Sequence, residues 1–250
     1  MASSYVNDLR LEEIADGEQS GTWGATTNTN LELIGEALGF GTQAITTNAD
    51  TFASTIVDGT SDQERAMYIK YTGALDSNCT ITIGPNTISR MHFIENATTD
   101  SGSSGPYSII ISQGSGANVT IPNGDTKAVY LDGAGSGAAV VDAFASLNVV
   151  DLKVQDDLTL TSDSAVITFG AGADATLTHT NDVGLTLNST NKLMFNDASQ
   201  FIQGSSATVL SLGATDEIDL TATAIDINGT VAISGDTTIE DGADLITASA

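Results

Sequence analysis

Across 250 residues the chain carries 32 acidic side chains against 7 basic ones, a formal charge of −25, divided as −12 up to Val150 and −13 from Asp151 onward. A surface of that sign repels a phosphate backbone and an anionic bilayer, which argues against nucleic acid as a partner and against membrane insertion. Aromatics make up only 5% of the residues while glycine numbers 25, so the composition favours short strands and tight turns over a core built on large rings.

The opening "MASSYVNDLR" has no apolar signal core and no stretch approaches membrane-spanning length, so synthesis in the cytosol is expected. "GEQSGTWGATTN" reads as a loop around the lone tryptophan, Trp23. The following "TNTNLELIGEALGFG" predicts a short helix. Thr29 is its expected N-cap, with Glu32 completing a capping box. Leu31, Ile34, Ala37 and Leu38 lie on one face at helical spacing, and Gly39 and Gly41 end it. A Trp beside a one-sided helix implies either a local mini-core or a docking element.

From about residue 61 the pattern changes to apolar or alternating bursts: "RAMYIKYTG", "CTITIG", "ISRMHFIEN", "YSIIISQG", "NVTIP" and "KAVYLDG". Glycine-, asparagine- and proline-rich turns part them, as in a small β-sandwich or barrel. The only cysteine, Cys79, falls on a strand position, so no intrachain disulfide forms and a buried thiol is expected.

Beyond residue 145 the bursts become shorter and recur about every eight to ten residues, in the manner of a quasi-repeat. "DLTLTS", "AVITFG", "GLTLNS", "KLMFND", "EIDLTA", "AIDING", "TVAISG" and "TTIEDG" are examples. Each offers one or two apolar residues at period two, too few to close a core alone, whereas stacked or associated turns can. Three chains about one axis would bury Leu158, Leu160, Leu185, Leu187, Leu193, Phe195, Ile225, Ile227, Val231 and Ile233 against their symmetry mates. The alternative is a single-chain β-solenoid with its own internal core.

Several stretches also carry a resemblance. "NDLRLEEIADGEQSGTWGATTNTNLELIGEAL" resembles the N-terminal module of tail fibre proteins of tailed bacteriophages, marine ones in particular. "TITIGPNTISRMHFIENAT", "IIISQGSGANVTIPNGDTKAVYLDG" and "DDLTLTSDSAVITFGAGADATLTHT" are similar to their middle and shaft parts. The resemblance implies a virion structural protein without cofactor. Its N-terminal part would dock on adaptor or nozzle proteins of the tail. A homotrimeric β-rich shaft would project outward, and a distal part would meet a host surface glycan or receptor. Carried onto this chain, the attachment residues are Gly21, Thr22, Trp23, Gly24, Thr27, Asn28, Asn30, Leu31, Ile34 and Leu38. The closing "DTTIEDGADLITASA" shows no separate tip pattern, which leaves three expectations: a short fibre, a tip supplied by another protein, or a longer natural chain.

Catalytic signals were weighed against this. A polysaccharide-cleaving spike needs opposed carboxylates over a sugar groove. Asp156 with Asp157, Asp216 with Glu217 and Asp219, and Glu240 with Asp241 are turn residues in a chain rich in acids, so solvation accounts for them. His92 and His179 have no ligand partner at metal spacing, although three copies of His179 could meet on a trimer axis. No phosphate loop, dinucleotide fingerprint or calcium loop is present. The expectation is a mostly β fold in three parts: an attachment segment with a short helix (1–60), a small β-sandwich or barrel (61–144), and a repetitive trimeric β-helix or β-prism-like shaft (145–250). A head decoration fibre or adhesin module is the first rival reading, and a tailspike the second.

Overall fold

The structure is a computed structural model that describes residues 2–102 and 104–237. The chain is mostly β, with one α-helix, and divides into a first unit up to Leu152 and a second from Lys153.

In the first unit, helix α1 (Trp23–Ala37) precedes nine strands. They are β1 (Phe40–Ala44), β2 (Thr51–Thr55), β3 (Tyr68–Leu75), β4 (Cys79–Gly84), β5 (Arg90–Asp100), β6 (Ile109–Ser112), β7 (Val119–Ile121), β8 (Thr126–Leu131) and β9 (Val140–Asp142). From β1 to β6 successive strands alternate between two sheets. One has the order β1-β3-β5-β8-β9 and the other β2-β4-β6-β7. Within each, the first three strands run parallel, so the chain climbs one strand per sheet per turn. The last strands then reverse and pair antiparallel. Neither sheet closes into a barrel, and the strands wind as parallel coils up to β6 before β6–β7 and β8–β9 pair antiparallel. Strands β1 and β2, which precede residue 60, belong to the same two sheets.

Period-two side chains fill the space between the sheets. Ile69, Tyr71, Leu75, Ile94, Val129 and Leu131 face Cys79, Ile81, Ile83, Ile109, Ile111 and Ile121, all buried. Each such aliphatic side chain contributes about 1.5–3 kcal/mol when fully removed from water. Polar groups trapped there are paired, apart from His92 Nε2, which has no hydrogen-bond partner among the described residues. Ser54 Oγ and Tyr71 OH lie 2.9 Å apart, and Asn96 Nδ2 donates to the carbonyls of Tyr107 and Ile121 at 3.1 and 3.0 Å. Cys79 is buried as expected, and desolvation, followed by the nearby Asp50 charge, raises its thiol pKa. Gly73, at φ +122°, lets β3 approach β1 so closely that a Cβ there would collide with the Ile45 carbonyl oxygen.

Helix α1 corrects the sequence reading in two respects. It begins at Trp23, with Thr22 as an N-cap that makes no side-chain hydrogen bond, so Thr29 lies within it. Its buried residues are Leu33 and Ala37, and of the expected face only Ala37 is covered.

The second unit is built differently. Strands β10 (Val166–Phe169), β11 (Ala175–Thr180) and β12 (Gly184–Leu187) form one antiparallel three-stranded sheet. Strands β13 (Lys192–Phe195), β14 (Asp197–Ser206) and β15 (Val209–Gly213) form another. A repetitive β-helix or β-prism-like shaft is expected here, yet residues 214–237 carry no strand although their apolar doublets persist. Among the described residues from Lys153 onward none is buried, so this unit has no internal core and the single-chain solenoid alternative fails. Ile239 and the Glu240–Asp241 pair lie outside the described residues.

Candidate functional site

Two apolar surfaces stand out, one in each unit. In the first, α1 presents Trp23, Thr27, Leu31, Ile34 and Leu38 within roughly 80° of one another at about 100° per residue. The buried residues Leu33 and Ala37 flank this stripe, Ala37 about 40° from Trp23. Trp23 is 63% exposed, Leu31 61% and Leu38 70%, which removes the mini-core reading for the tryptophan. Trp23, Leu31, Ile34 and Leu38 thus form a line of exposed apolar side chains. The stripe runs into a groove of about 250 Å³ lined by Leu9, Ile34, Leu38, Met67 and Met91, with Arg90 at its edge.

The other attachment residues shape this stripe. Gly21, at φ +86°, turns the chain into the helix. Gly24 and Asn28 are exposed on its first turns, and Thr27 Oγ1 donates to the Trp23 carbonyl at 2.9 Å. Asn30 brackets the backbone of Glu12. Its Nδ2 donates to the Glu12 carbonyl at 2.9 Å and its Oδ1 accepts from the Glu12 N–H at 3.1 Å. Asn30 therefore fixes the helix and does not contribute to the exposed stripe.

Arg65, which the sequence reading passed over, holds this region together. Its side chain is fully buried. Nη1 donates to the Leu9 carbonyl, while Nη2 donates to those of Val57 and Thr60 and pairs with Asp62 at 2.9 Å. Glu36 of the helix lies 3.8 Å from Nε. Asp8 and Arg10 add further ties: Asp8 Oδ1 accepts from the Ser89 N–H at 2.8 Å, and Arg10 pairs with Asp58 at 2.6 Å. Arg90 and His92 lie in the same neighbourhood. Arg90 donates to the Arg65 carbonyl, and His92 Nδ1 is 2.9 Å from that of Ala66. Burial, with Arg90 nearby, lowers the His92 pKa to about 4, and burial lowers that of Arg90 to about 10. A buried Arg in a β-rich chain gives no periodic signal, so only the structure reveals it.

In the second unit, strand register sorts most side chains by face. Ile167, Phe169, Ala175, Leu177, His179, Leu185 and Leu187 share one face of the first sheet, while Thr168, Thr176, Thr178 and Thr186, with Val166, share the other. The apolar face bounds a cavity of about 360 Å³ that Leu158 and Leu160 also line. In the second sheet Leu193, Ile202 and Leu212 are aligned across the strands. A cavity of about 660 Å³ there is lined by Phe195, Phe201, Ile202, Leu212, Ile218 and Leu220, with Asp216 and Glu217 beside it. Leu187 is half-buried. Leu158, Leu160, Leu185, Leu193, Phe195, Ile225, Ile227, Val231 and Ile233 are exposed. Leu158, Leu160 and Leu185 thus line the smaller cleft and Phe195 the larger, Leu187 and Leu193 lie on the sheets beside them, and Ile225, Ile227, Val231 and Ile233 follow exposed in a stretch without strands.

His179 lines the smaller cleft, and among the described residues no three metal-binding side chains cluster. Asp156, Asp157 and Asp219 are exposed. Among the described residues no helix is long and apolar enough to cross a membrane. No family model, characterised protein or solved structure matches the chain.

Proposed function

We propose that the protein is a structural fibre of a phage virion, a homotrimer whose first unit seats on tail proteins and whose second unit forms the projecting shaft towards the host surface. The observation that carries this reading is the second unit itself. It has two sheets with sorted faces and a run of apolar doublets, yet no buried residue among those described. Exposed apolar area on that scale is covered by association, and association of identical chains proceeds by closed symmetry. The narrow inward set, mostly single aliphatics, suits three chains around one axis. The uncovered stripe of α1 supplies the docking surface that the attachment role requires. The chemistry is mechanical: anchoring, spacing and transmission, with no catalysis and no cofactor.

Trp23→Ala tests the docking half of the reading. Trimers of the variant should form normally while virions carrying it lack fibres. Full fibre occupancy would remove Trp23 from the anchor.

The tailspike reading draws on one observation, the proximity of Asp216 and Glu217 to Phe195 and Phe201. The two acids are sequence neighbours at a bend, and among the described residues no other carboxylate lines that cleft to oppose them across a substrate. Glu217→Gln should leave adsorption unchanged. Loss of adsorption with trimer retained would favour the enzyme.

A further inference from the structure

The two ends of the first unit's coil are finished differently. At the far end the edge segments close on each other: Val140 N–H donates to Ala117 O at 2.8 Å, Gly116 N–H to Ala138 O at 3.0 Å and Ser115 N–H to Ser136 O at 2.9 Å. At the near end β1 and β2 each have a single strand neighbour. Ile45 N–H donates to Thr72 O, and Gly39 O accepts from Tyr68 N–H, so alternate residues of β1 face β3. Phe40, Thr42 and Ala44 therefore turn their backbone groups outward. Side-chain amides occupy part of that row, since Gln63 Oε1 accepts from Thr42 N–H at 3.1 Å and Gln43 Nε2 donates to Ala44 O at 3.2 Å. In β2, Asp50 O accepts from Thr80 N–H and Ile56 N–H donates to Gly84 O, which leaves Thr51, Ala53 and Thr55 facing out. All three are exposed, and their backbone groups have no partner among the described residues.

Open edges are ordinarily blunted by lysine, proline or a bulge, because an unpaired row of N–H and C=O groups recruits further strands. Here that protection is missing. Residues 39–57, "GFGTQAITTNADTFASTIV", hold one charged residue, Asp50, no lysine and no proline, in a chain of charge −25.

We infer that the β2 edge, Thr51–Thr55, is a strand-addition site that accepts an extended segment of a different protein. Charge and edge geometry select the occupant. A ring of sister chains must join one edge to a different edge of the next copy. Within the first unit the far-end edge segments are hydrogen-bonded to each other and the outward row of β1 is part-filled by the Gln63 and Gln43 amides, so neither offers a sister copy a full free row. A sister chain would also bring its own charge of −25 to this surface. Three chains about one axis also cannot pair their β2 edges two by two. A foreign strand, uncharged along its centre and basic at its flanks to suit the acidic surroundings, satisfies Thr51, Ala53 and Thr55 through main-chain hydrogen bonds. Beyond Thr55 the edge leads to a groove of about 370 Å³ lined by Arg10, Ile56, Val57, Asp58 and Pro85, which can take the end of that strand. That the donor belongs to the seat of the fibre rests on the function proposed above.

The test begins with the full chain and an end-blocked synthetic peptide, Lys-Thr-Val-Thr-Val-Thr-Lys. Addition should slow amide exchange at Thr51, Ala53 and Thr55. The same peptide N-methylated at alternate residues keeps its side chains but loses one bonding edge, and it should bind at least ten-fold more weakly. Ala53→Pro removes an outward N–H that the fold does not use and should abolish the protection. Absence of protection by the unmethylated peptide, or equal protection by both peptides, overturns the edge site. A second arm identifies the donor. Virions bearing Ala53→Pro should lose the protein while its isolated solution mass stays unchanged. Normal occupancy, or a solution mass that falls with Ala53→Pro, overturns the foreign donor, and the falling mass makes a second copy the occupant. Wild-type virions free of the protein would sink the fibre reading alone, leaving the peptide arm to decide the edge.

Discussion

Acidification from pH 7 to pH 5 should weaken the first unit through His92. The imidazole is buried between Arg90 and the Ala66 carbonyl, and its pKa falls from 6.5 to about 4. A depressed folded-state pKa means that the fold prefers the neutral ring. Stability is therefore complete above pH 6.5 and is lost as the pH falls towards 4, because the unfolded chain takes up the proton first. The full difference of roughly 2.5 units corresponds to about 3.4 kcal/mol, and at pH 5 about 2 kcal/mol of it has gone. That is a roughly 30-fold loss in the folding equilibrium. Glu95 and Asp142, held low chiefly by hydrogen bonds from Lys70 and Lys127, act only at more acid pH. Glu64, raised by burial, acts in the opposite sense. Urea denaturation followed by circular dichroism at pH 7 and pH 5 measures the change, with His92→Gln as the control that should flatten it. Equal stability of the wild type at both values, or an unchanged drop in His92→Gln, would refute the reasoning.

Two further predictions concern the packing of each unit. Arg65→Met should destabilise the first unit by about 3–5 kcal/mol, because it strands the Asp62 carboxylate and three carbonyls that the guanidinium satisfies. Thermal unfolding reads this, and a loss below about 1 kcal/mol would contradict the stapling role. Leu187→Asp, on the apolar face of β12, should abolish self-association and leave the first unit's amide protection intact. A variant of wild-type mass would remove that face from the interface.

Some of this was readable in the sequence and some was not. Strand positions in the first unit follow the alternation of "CTITIG" and "YSIIISQG", since burial on one face dictates period two. Their parallel coiling is invisible to that signal. The connection from β3 to β4 spans only Asp76–Asn78 and looks like a hairpin turn, yet it carries the chain from one sheet to the other. The helix start was displaced because Gly24 and the Thr-Asn run have weak helix propensity, which tertiary ties such as Asn30 to Glu12 override. Leu31, Ile34, Ala37 and Leu38 were legible as a helical face, but Trp23 read as loop, and nothing local distinguishes a face turned to the core from one turned to solvent. In the second unit the lack of a core was legible from the scarcity of large apolar residues per burst. The sorting of Leu185 and Leu187 against the threonines follows directly from alternation.

The central claim is that the second unit finds its core only in company with two further copies. Multi-angle light scattering of the purified full chain tests it most directly. The account predicts a mass three times 25.5 kDa that persists on dilution. A clean monomer of 25.5 kDa would contradict it.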